Sequence, residues 1–350
     1  MLWMRHRKKD MRGLAMDGTF PIDSLRCIQD HPERGSCSGA VISADNVLVC
    51  QTCGFRYPVV RGVPVFRSER WQFTDTWFEE MYAGRSRITE LESTYLVGER
   101  RFMAEFAEER GLEGPCLEIG CGTGLFAETV PQYIGLEYSL ESLFARGFES
   151  FDRLCGDARS LPLADESMEC VFSFNTLEHV AELEQAFEEI HRVLKPGGAL
   201  VLKPAWHCTR YVTELIPVLP YRELNARQKI VKALLPLIRS KPYKMLTRVP
   251  WRIQRWLTQR PNNPLSWGRL TPYHGEAWVA DADAASSIDC HESILYFTSR
   301  GYQCHSHPTT LRQLLAGHDI VVLEKPARDG SRFPQRDSVD PPVMALIQNS

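Results

Sequence analysis

No window of the chain approaches the 18 or so uninterrupted apolar residues of a spanning helix, so nothing in it is expected to cross a bilayer. A secretory leader is not expected either. The opening MLWMRHRKKD is basic, but Asp17, Gly18 and Pro21 stand where the apolar core of a leader belongs, which points to a cytoplasmic protein. Neither sign of charge dominates, with 41 Lys and Arg against 44 Asp and Glu, and this removes any whole-chain case for a nucleic-acid or membrane partner. No internal repeat is visible. Eleven cysteines without a leader indicate reduced thiols and a metal rather than a disulfide scaffold. What remains is a 350-residue globular chain, long enough for one sizeable α/β domain and one or two smaller pieces.

Composition divides it. Residues 1–22 form a basic N-terminus expected to be flexible, and residues 23–68 carry cysteines, β-branched residues and Gly/Pro punctuation, a small strand-and-turn module. Residues 69–206 alternate strand-like and helix-like segments, the pattern of a parallel sheet with crossover helices. PCLEIGC, YIGLEYS, FDRLCGDA, MECVFSFNT and ALVLKP read as strands one to five. LFAETV, SLESLFARGFES and VAELEQAFEEIHRVLK read as helices, the last presenting Leu183, Phe187, Ile190 and Leu194 on one face and stopping at Lys195-Pro196-Gly197-Gly198. Residues 207–287 break the rhythm with a basic, Trp- and Pro-containing stretch. It resumes over 288–325 with SILYFTSRGYQCHSH and GHDIVVLEKP, and the polar tail 326–350 is expected to be disordered.

In an open parallel sheet the ligand sits beyond the carboxyl ends of the strands, beside strand one, where this chain reads LEIGCGTG. A dinucleotide site wants G-x-G-x-x-G, yet Gly120, Gly122 and Gly124 alternate and Leu125 stands where the third glycine belongs. Glu118, just before the glycines, would sit badly beside a diphosphate. It suits a ligand with a cationic amino group and a sulfonium, which is S-adenosylmethionine. Glu137 after strand two can accept from ribose hydroxyls, and Asp157 after strand three from an adenine amino group. The bland alternatives are a tight strand-to-helix turn for the glycines, a helix cap for Asp157 and plain packing for Tyr138.

These segments resemble the class I S-adenosylmethionine-dependent methyltransferases, in the subgroup of small-molecule and quinone-type enzymes. LEIGCGTG is similar to the family's first motif, GLEYS to its ribose motif, GDARSLPLADESMECVFSFNTLEHV to its adenine segment and fourth strand, and HRVLKPGGALVL to its fifth-strand motif. The resemblance covers roughly residues 98 to 206 and the elements after 288. It implies an α/β, Rossmann-like sheet of seven strands whose last runs antiparallel, with RGYQCHSH and HDIVVLEKP as strands six and seven. The implied donor site comprises Glu118, Gly120, Cys121, Gly122, Gly124, Glu137, Tyr138, Asp157, Ala158 and Asn175. Such enzymes often work by proximity alone, so a general base is not required; His179 in NTLEHV and His207 in KPAWHC are the candidates, each set against an ordinary structural histidine.

Cys50 and Cys53 form a C-x-x-C knuckle relaxed by Gly54, and Cys27 with Cys37 would complete a zinc site. The second pair is more widely spaced than usual, leaving His31 as a substitute ligand and a metal-free, eroded site as the alternative. LVCQTCGFRYPVVRGVPVF resembles the zinc-ribbon modules that precede or activate some methyltransferases. A redox pair would expect a helix after the motif, and strand-like residues follow instead.

Between His207 and Leu270 thirteen Lys or Arg face two acids, Glu214 and Glu223. NARQKIVKALLPLIRS places Val231, Leu234, Leu235 and Ile238 on one helical face, and RVPWRIQRWL sets Trp251 and Trp256 among arginines. A mainly helical insertion of this charge suits a small-molecule or lipid-linked anionic acceptor handled at an anionic membrane face; reversing Arg252 and Arg255 should then weaken binding. RNA is the rival acceptor, although FNTLEH replaces the Asn-Pro-Pro-Tyr-type motif of many base-amine methylases. A non-catalytic binding module that keeps the fold is the reading from outside the enzymes.

Overall fold

The computed structural model describes residues 22–31, 35–44, 47–67, 77, 79–80, 96–144, 151–275 and 279–328. The N-terminal segment before residue 22 and nearly all of the C-terminal tail lie outside these. So does the second half, residues 145–150, of the second expected crossover helix, SLESLFARGFES, whose first half contains the 3-10 turn Ser142–Phe144.

In the N-terminal module, strands β1 (Val41–Ala44), β2 (Val47–Cys50), β3 (Arg56–Val60) and β4 (Val63–Pro64) make an antiparallel meander. Helix α1 (Val97–Arg110) follows and ends on Gly111 in the left-handed region, whose N–H closes back on the last turn. Five parallel strands come next: β5 (Cys116–Ile119), β6 (Tyr133–Glu137), β7 (Asp152–Cys155), β8 (Met168–Phe174) and β9 (Leu194–Lys203). After the insertion, which ends in the hairpin β10 (Trp267–Arg269) and β11 (Ser286–Ile288), the sheet is completed by β12 (Gln303–Cys304) and β13 (Val321–Glu324). The strand order is β12-β13-β9-β8-β5-β6-β7, with β13 antiparallel to both neighbours.

Alternation along the buried strands feeds two cores. Leu117, Ile119, Ile134, Leu136, Val171, Leu200 and Leu202 face one side, and Cys116, Tyr133, Cys170, Phe172, Phe174 and Val201 the other. The first side is closed by helix α2 (Leu183–Val193), whose buried Leu183, Ala186, Phe187, Ile190 and Val193 recur at helical spacing, and by helix α5 (Cys290–Thr298). Helix α2 ends one residue before Lys195-Pro196, because a residue preceding proline is driven out of the helical region. The chain passes straight into β9, whose pairing with β8 takes up Pro196-Gly197-Gly198 as a register shift between Met168 and Cys170. The second side is covered by Phe102, Met103 and Phe106 of α1 and by Phe126.

LFAETV is not an α-helix. Gly124, Ala127 and Thr129 each donate to the carbonyl three residues back, a run of tight turns. The stretch is bounded by Gly124 at φ +74° and Pro131, too short between them to propagate a helix, and Phe126 anchors it by stacking on Phe174 at 5.0 Å.

The cysteine module packs on the sheet edge. Val65 bridges to Cys155 of β7 in parallel, and the Phe66 N–H donates to the Cys155 carbonyl at 2.8 Å. The outer strand of the sheet is thereby paired rather than left open.

The insertion is helical first. Helix α3 (Ala226–Ile238) opens with a capping box between Asn225 and Gln228, and helix α4 (Lys241–Leu257) is capped by Ser240. Of the apolar face expected on α3, Leu235 is buried and Val231 and Ile238 half-buried, but Leu234 is exposed together with Ile230 and Leu237. Arg252 and Arg255 of α4 do not face outward. Arg252 is 3% exposed, donates to the Leu314 and Ala316 carbonyls and pairs with Asp289 at 2.9 Å, while Arg255 makes a two-pronged pair with Glu292 at 2.8 Å. They are internal ties between α4 and α5, so their reversal reports on folding rather than on an anionic partner.

Candidate active site and metal centre

The carboxyl ends of β5, β6, β7 and β8 bring the glycine loop, Glu137, Asp157 and Asn175 to one edge of the sheet. Gly120, Gly122 and Gly124 all adopt positive φ, +76°, +50° and +74°, so the alternating pattern serves three left-handed residues in a five-residue span. At Gly120 space is decisive too, since a Cβ there would lie 2.1 Å from the Thr176 side chain, which follows strand four.

Glu137 locks this loop. Its Oε2 accepts the Gly122 N–H at 2.9 Å and its Oε1 the Ser139 N–H at 3.0 Å. Burial raises its pKa against the pull of the N–H groups of Ser139, Gly122 and Tyr138. Three donors do not exhaust the roughly four acceptor positions of a carboxylate. Glu118 is buried and accepts the Tyr133 hydroxyl, while burial holds both Tyr133 and the neighbouring Cys121 thiol in their neutral forms. Asp157 is buried and clasped by Arg159, with Nε on Oδ1 at 2.9 Å and a terminal nitrogen on Oδ2 at 2.6 Å, so its charge is balanced within its own loop. Ala158 beside it is buried. Tyr138, half-buried, gives its carbonyl to the Cys155 thiol. Asn175 sits at φ +48°, its N–H donating to the Lys203 carbonyl and so tying the ends of strands four and five.

His179 lies in an acid cage built across two elements. Nδ1 is 3.5 Å from Asp283 Oδ2, and Nε2 is 3.8 Å from Glu178 Oε1. Burial disfavours the charged ring, but Glu178 and Asp283 outweigh it and the pKa is raised; burial raises Glu178 and Asp281 in turn. Neighbouring acids thus favour the protonated ring, the form that cannot accept a proton from an acceptor. His207 differs. It sits at φ +68°, its Nδ1 is 3.4 Å from Asp289, and burial lowers it to about 3, so it is neutral at physiological pH. The order of the chain gave no sign that Asp281 and Asp283 would meet His179, since they stand about a hundred residues downstream on the hairpin segment.

The four module cysteines converge. Cys27, Cys37, Cys50 and Cys53 keep their sulfurs within 4.8 Å of one another, with Cys27–Cys53 and Cys37–Cys50 each at 3.7 Å. Zinc–thiolate bonds of about 2.3 Å in a tetrahedron place sulfurs roughly 3.8 Å apart, so the set fits a four-thiolate zinc site without calling on His31. Burial opposes ionisation at Cys50, yet the N–H groups of Cys53 and Thr52 lower it to about 7; burial raises Cys37.

Comparison with known proteins agrees with this geometry. Residues 117–202 match the family model described as a methyltransferase domain. A probable S-adenosylmethionine-dependent methyltransferase of Mycolicibacterium smegmatis is 34% identical over 121 residues, 32% of this chain and 47% of that one. A demethylmenaquinone methyltransferase of Renibacterium salmoninarum is 35% identical over 99 residues, 27% of this chain and 42% of the other. Among solved structures, Streptomyces venezuelae DesVI shares 23% identity over 34% of this chain and 58% of its own, with a TM-score of 0.29. The chain spans less than half the length of these two curated relatives. The sheet and its strand order are those of a Rossmann-like α/β fold, and residues 117–202 within it match a methyltransferase domain.

Proposed function

We propose that the whole chain transfers a methyl group from S-adenosylmethionine to a small-molecule or glycan-like, lipid-linked acceptor at an anionic membrane face. The observation that carries the donor half is the latch between Glu137 and Gly122, which fixes the three left-handed glycines beside a second buried carboxylate, Glu118. When bound, the donor supplies a methyl already activated by the sulfonium, so the protein's own work is alignment and exclusion of water. Glu118 suits the cationic amino end, Glu137 the ribose hydroxyls, and Asp157 with Ala158 the adenine rim. Direct displacement asks for no protein nucleophile, and the raised pKa of His179 favours a positioning role over a basic one.

The acceptor half rests on the insertion. Among the described residues no helix is long and apolar enough to cross a membrane. Yet α3 and α4 leave Ile230 61%, Leu246 76% and Leu257 69% exposed, with Arg227, Lys229, Arg239 and Lys241 exposed around them. Exposed aliphatics beside cations match a lipid surface, where apolar side chains enter the headgroup region and the charges meet anionic lipid. An RNA backbone would use the cations and leave the aliphatics in water. The four cysteines would hold a structural zinc, since four thiolates leave no open position for chemistry.

The test is transfer of labelled methyl from S-adenosylmethionine into fractionated cell extract. Label in lipid or glycan pools is the expected result, and label confined to RNA overturns the acceptor assignment.

A further inference from the structure

Beyond the end of β9 the loop carrying His207 and Thr209, the α4 helix and the β10–β11 hairpin enclose an open cavity of about 350 Å³. That is the size of a small-molecule site. Trp251 from α4 and Trp267 from β10 supply its apolar lining, and Arg248, His207, Thr209 and Asp289 its polar one.

The polar lining is unbalanced. Asp289 holds three neighbours: Oδ2 takes Arg252 at 2.9 Å and lies 3.4 Å from His207, while Oδ1 caps α5 through the His291 N–H. Arg248 makes no salt bridge among the described residues, and its surroundings add Lys244 and Arg252, both of the same sign. Burial pushes Arg248 below its ordinary value, Asp289 pulls the other way and Arg252 adds to the lowering, so around this guanidinium two cations stand against one carboxylate. His207, with a side chain 7% exposed, has a buried Nε2 with no hydrogen-bond partner, and Thr209 an equally unpartnered buried hydroxyl. Of these two, only the Thr209 hydroxyl can donate to an anion, because the neutral His207 ring with Nδ1 toward Asp289 leaves Nε2 an acceptor.

We infer that this cavity binds the phosphate of a small ester or headgroup, with Arg248 as the principal anion contact and the apolar part of the molecule lying against Trp251 and Trp267. A guanidinium matches phosphate geometry in a way that an ammonium does not. The inference rests on the methyltransferase reading in one respect: it makes this cavity the place where the acceptor's anionic group is held, beyond the carboxyl end of β9 as the donor loop lies beyond that of β5.

Phenyl phosphate is the probe, titrated into the full chain with tryptophan fluorescence as the readout and S-adenosylmethionine binding measured by calorimetry on the same samples. Wild-type protein should bind phenyl phosphate, Arg248→Gln should bind it at least about tenfold more weakly, and Arg248→Lys should fall between the two. Donor affinity should be unchanged in both variants. Displacement of the probe by phosphatidylglycerol vesicles, but not by phosphatidylcholine vesicles, assigns the natural anion to a lipid headgroup; no displacement assigns it to a soluble ester. No response of the wild type up to about 10 mM probe, or equal binding by Arg248→Gln, overturns the inference. Failure to bind S-adenosylmethionine while phenyl phosphate still binds would instead remove the donor reading and leave this site standing.

Discussion

The carboxylate of Glu137 accepts the Gly122 N–H at 2.9 Å, joining the end of strand two to the middle of the glycine loop. One residue thereby shapes the donor site and remains able to bind donor. Glu137→Gln replaces a charged acceptor by a neutral one and sets an amide NH2 against one of the two backbone N–H groups that the carboxylate accepts. Hydrogen bonds to a charged group contribute about 1.5–3 kcal/mol each, so S-adenosylmethionine affinity should fall roughly tenfold to a hundredfold, and Tm should fall as well because one backbone N–H loses its acceptor. Calorimetry on both proteins checks this.

Two glycine substitutions should behave in opposite ways. Gly120→Ala meets Thr176 at 2.1 Å in a backbone conformation unfavourable to alanine, and should lower Tm and abolish donor binding. Gly98→Ala, in the first turn of α1 with nothing within 4 Å, should stabilise by about 0.5 kcal/mol. Thermal melts of the pair separate a glycine needed for shape from one that is merely tolerated.

Much of the sheet was legible in the sequence because its central strands are buried on both faces and read as apolar runs ended by turns; PCLEIGC and MECVFSFNT announce themselves. The helix expected at LFAETV was not there because tertiary anchoring of Phe126 on Phe174 and the flanking Gly124 and Pro131 overrode a short helical pattern. At the site, the glycines and Glu137 could be found from spacing. The pairing of Asp157 with Arg159, the acid cage around His179 and the burial of Arg252 could not, since each depends on which side chains a fold brings together. Charge counting read thirteen cations as one surface, while the fold spends Arg252 and Arg255 on Asp289 and Glu292.

The cysteine cluster should bind one zinc per chain, measurable by atomic absorption on the purified protein. A strong chelator, or Cys53→Ser, should release it, lower Tm and raise amide exchange at Asp152–Cys155, because the module pairs with that edge through Val65 and Phe66. Metal-free protein with unchanged exchange at β7 would contradict the assignment.

His307 lies 3.3 Å from Asp319 and accepts or donates at Ser306 at 2.9 Å. Burial disfavours its charge, but Asp319 and Cys304 together outweigh this and raise it to about 9, while the His307 hydrogen bond holds Asp319 below its ordinary value. A raised histidine contributes its stability in full below the unfolded value of about 6.5 and loses it as pH rises through about 9. The lowered aspartate contributes above about 3.9 and loses its share as pH falls through the folded value. Tm should therefore decline between about pH 6.5 and 9, and His307→Gln should flatten that decline. Parallel profiles for the two proteins would contradict the pairing.

Charge and apolarity on the insertion are separable. Arg252→Glu places two acids together in a buried setting and should destabilise by about 3–5 kcal/mol, seen as a large drop in Tm. The pair Leu246→Glu and Leu257→Glu, both at exposed positions, should leave Tm nearly unchanged and sharply weaken flotation with phosphatidylglycerol vesicles.

The most direct measurement is calorimetric titration of the full chain with S-adenosylmethionine, repeated with S-adenosylhomocysteine present as competitor. One donor per chain, displaced by the competitor and weakened by Glu137→Gln, is the result expected. Folded protein that evolves no heat with either compound, and whose Tm neither raises, would contradict the donor site at its root.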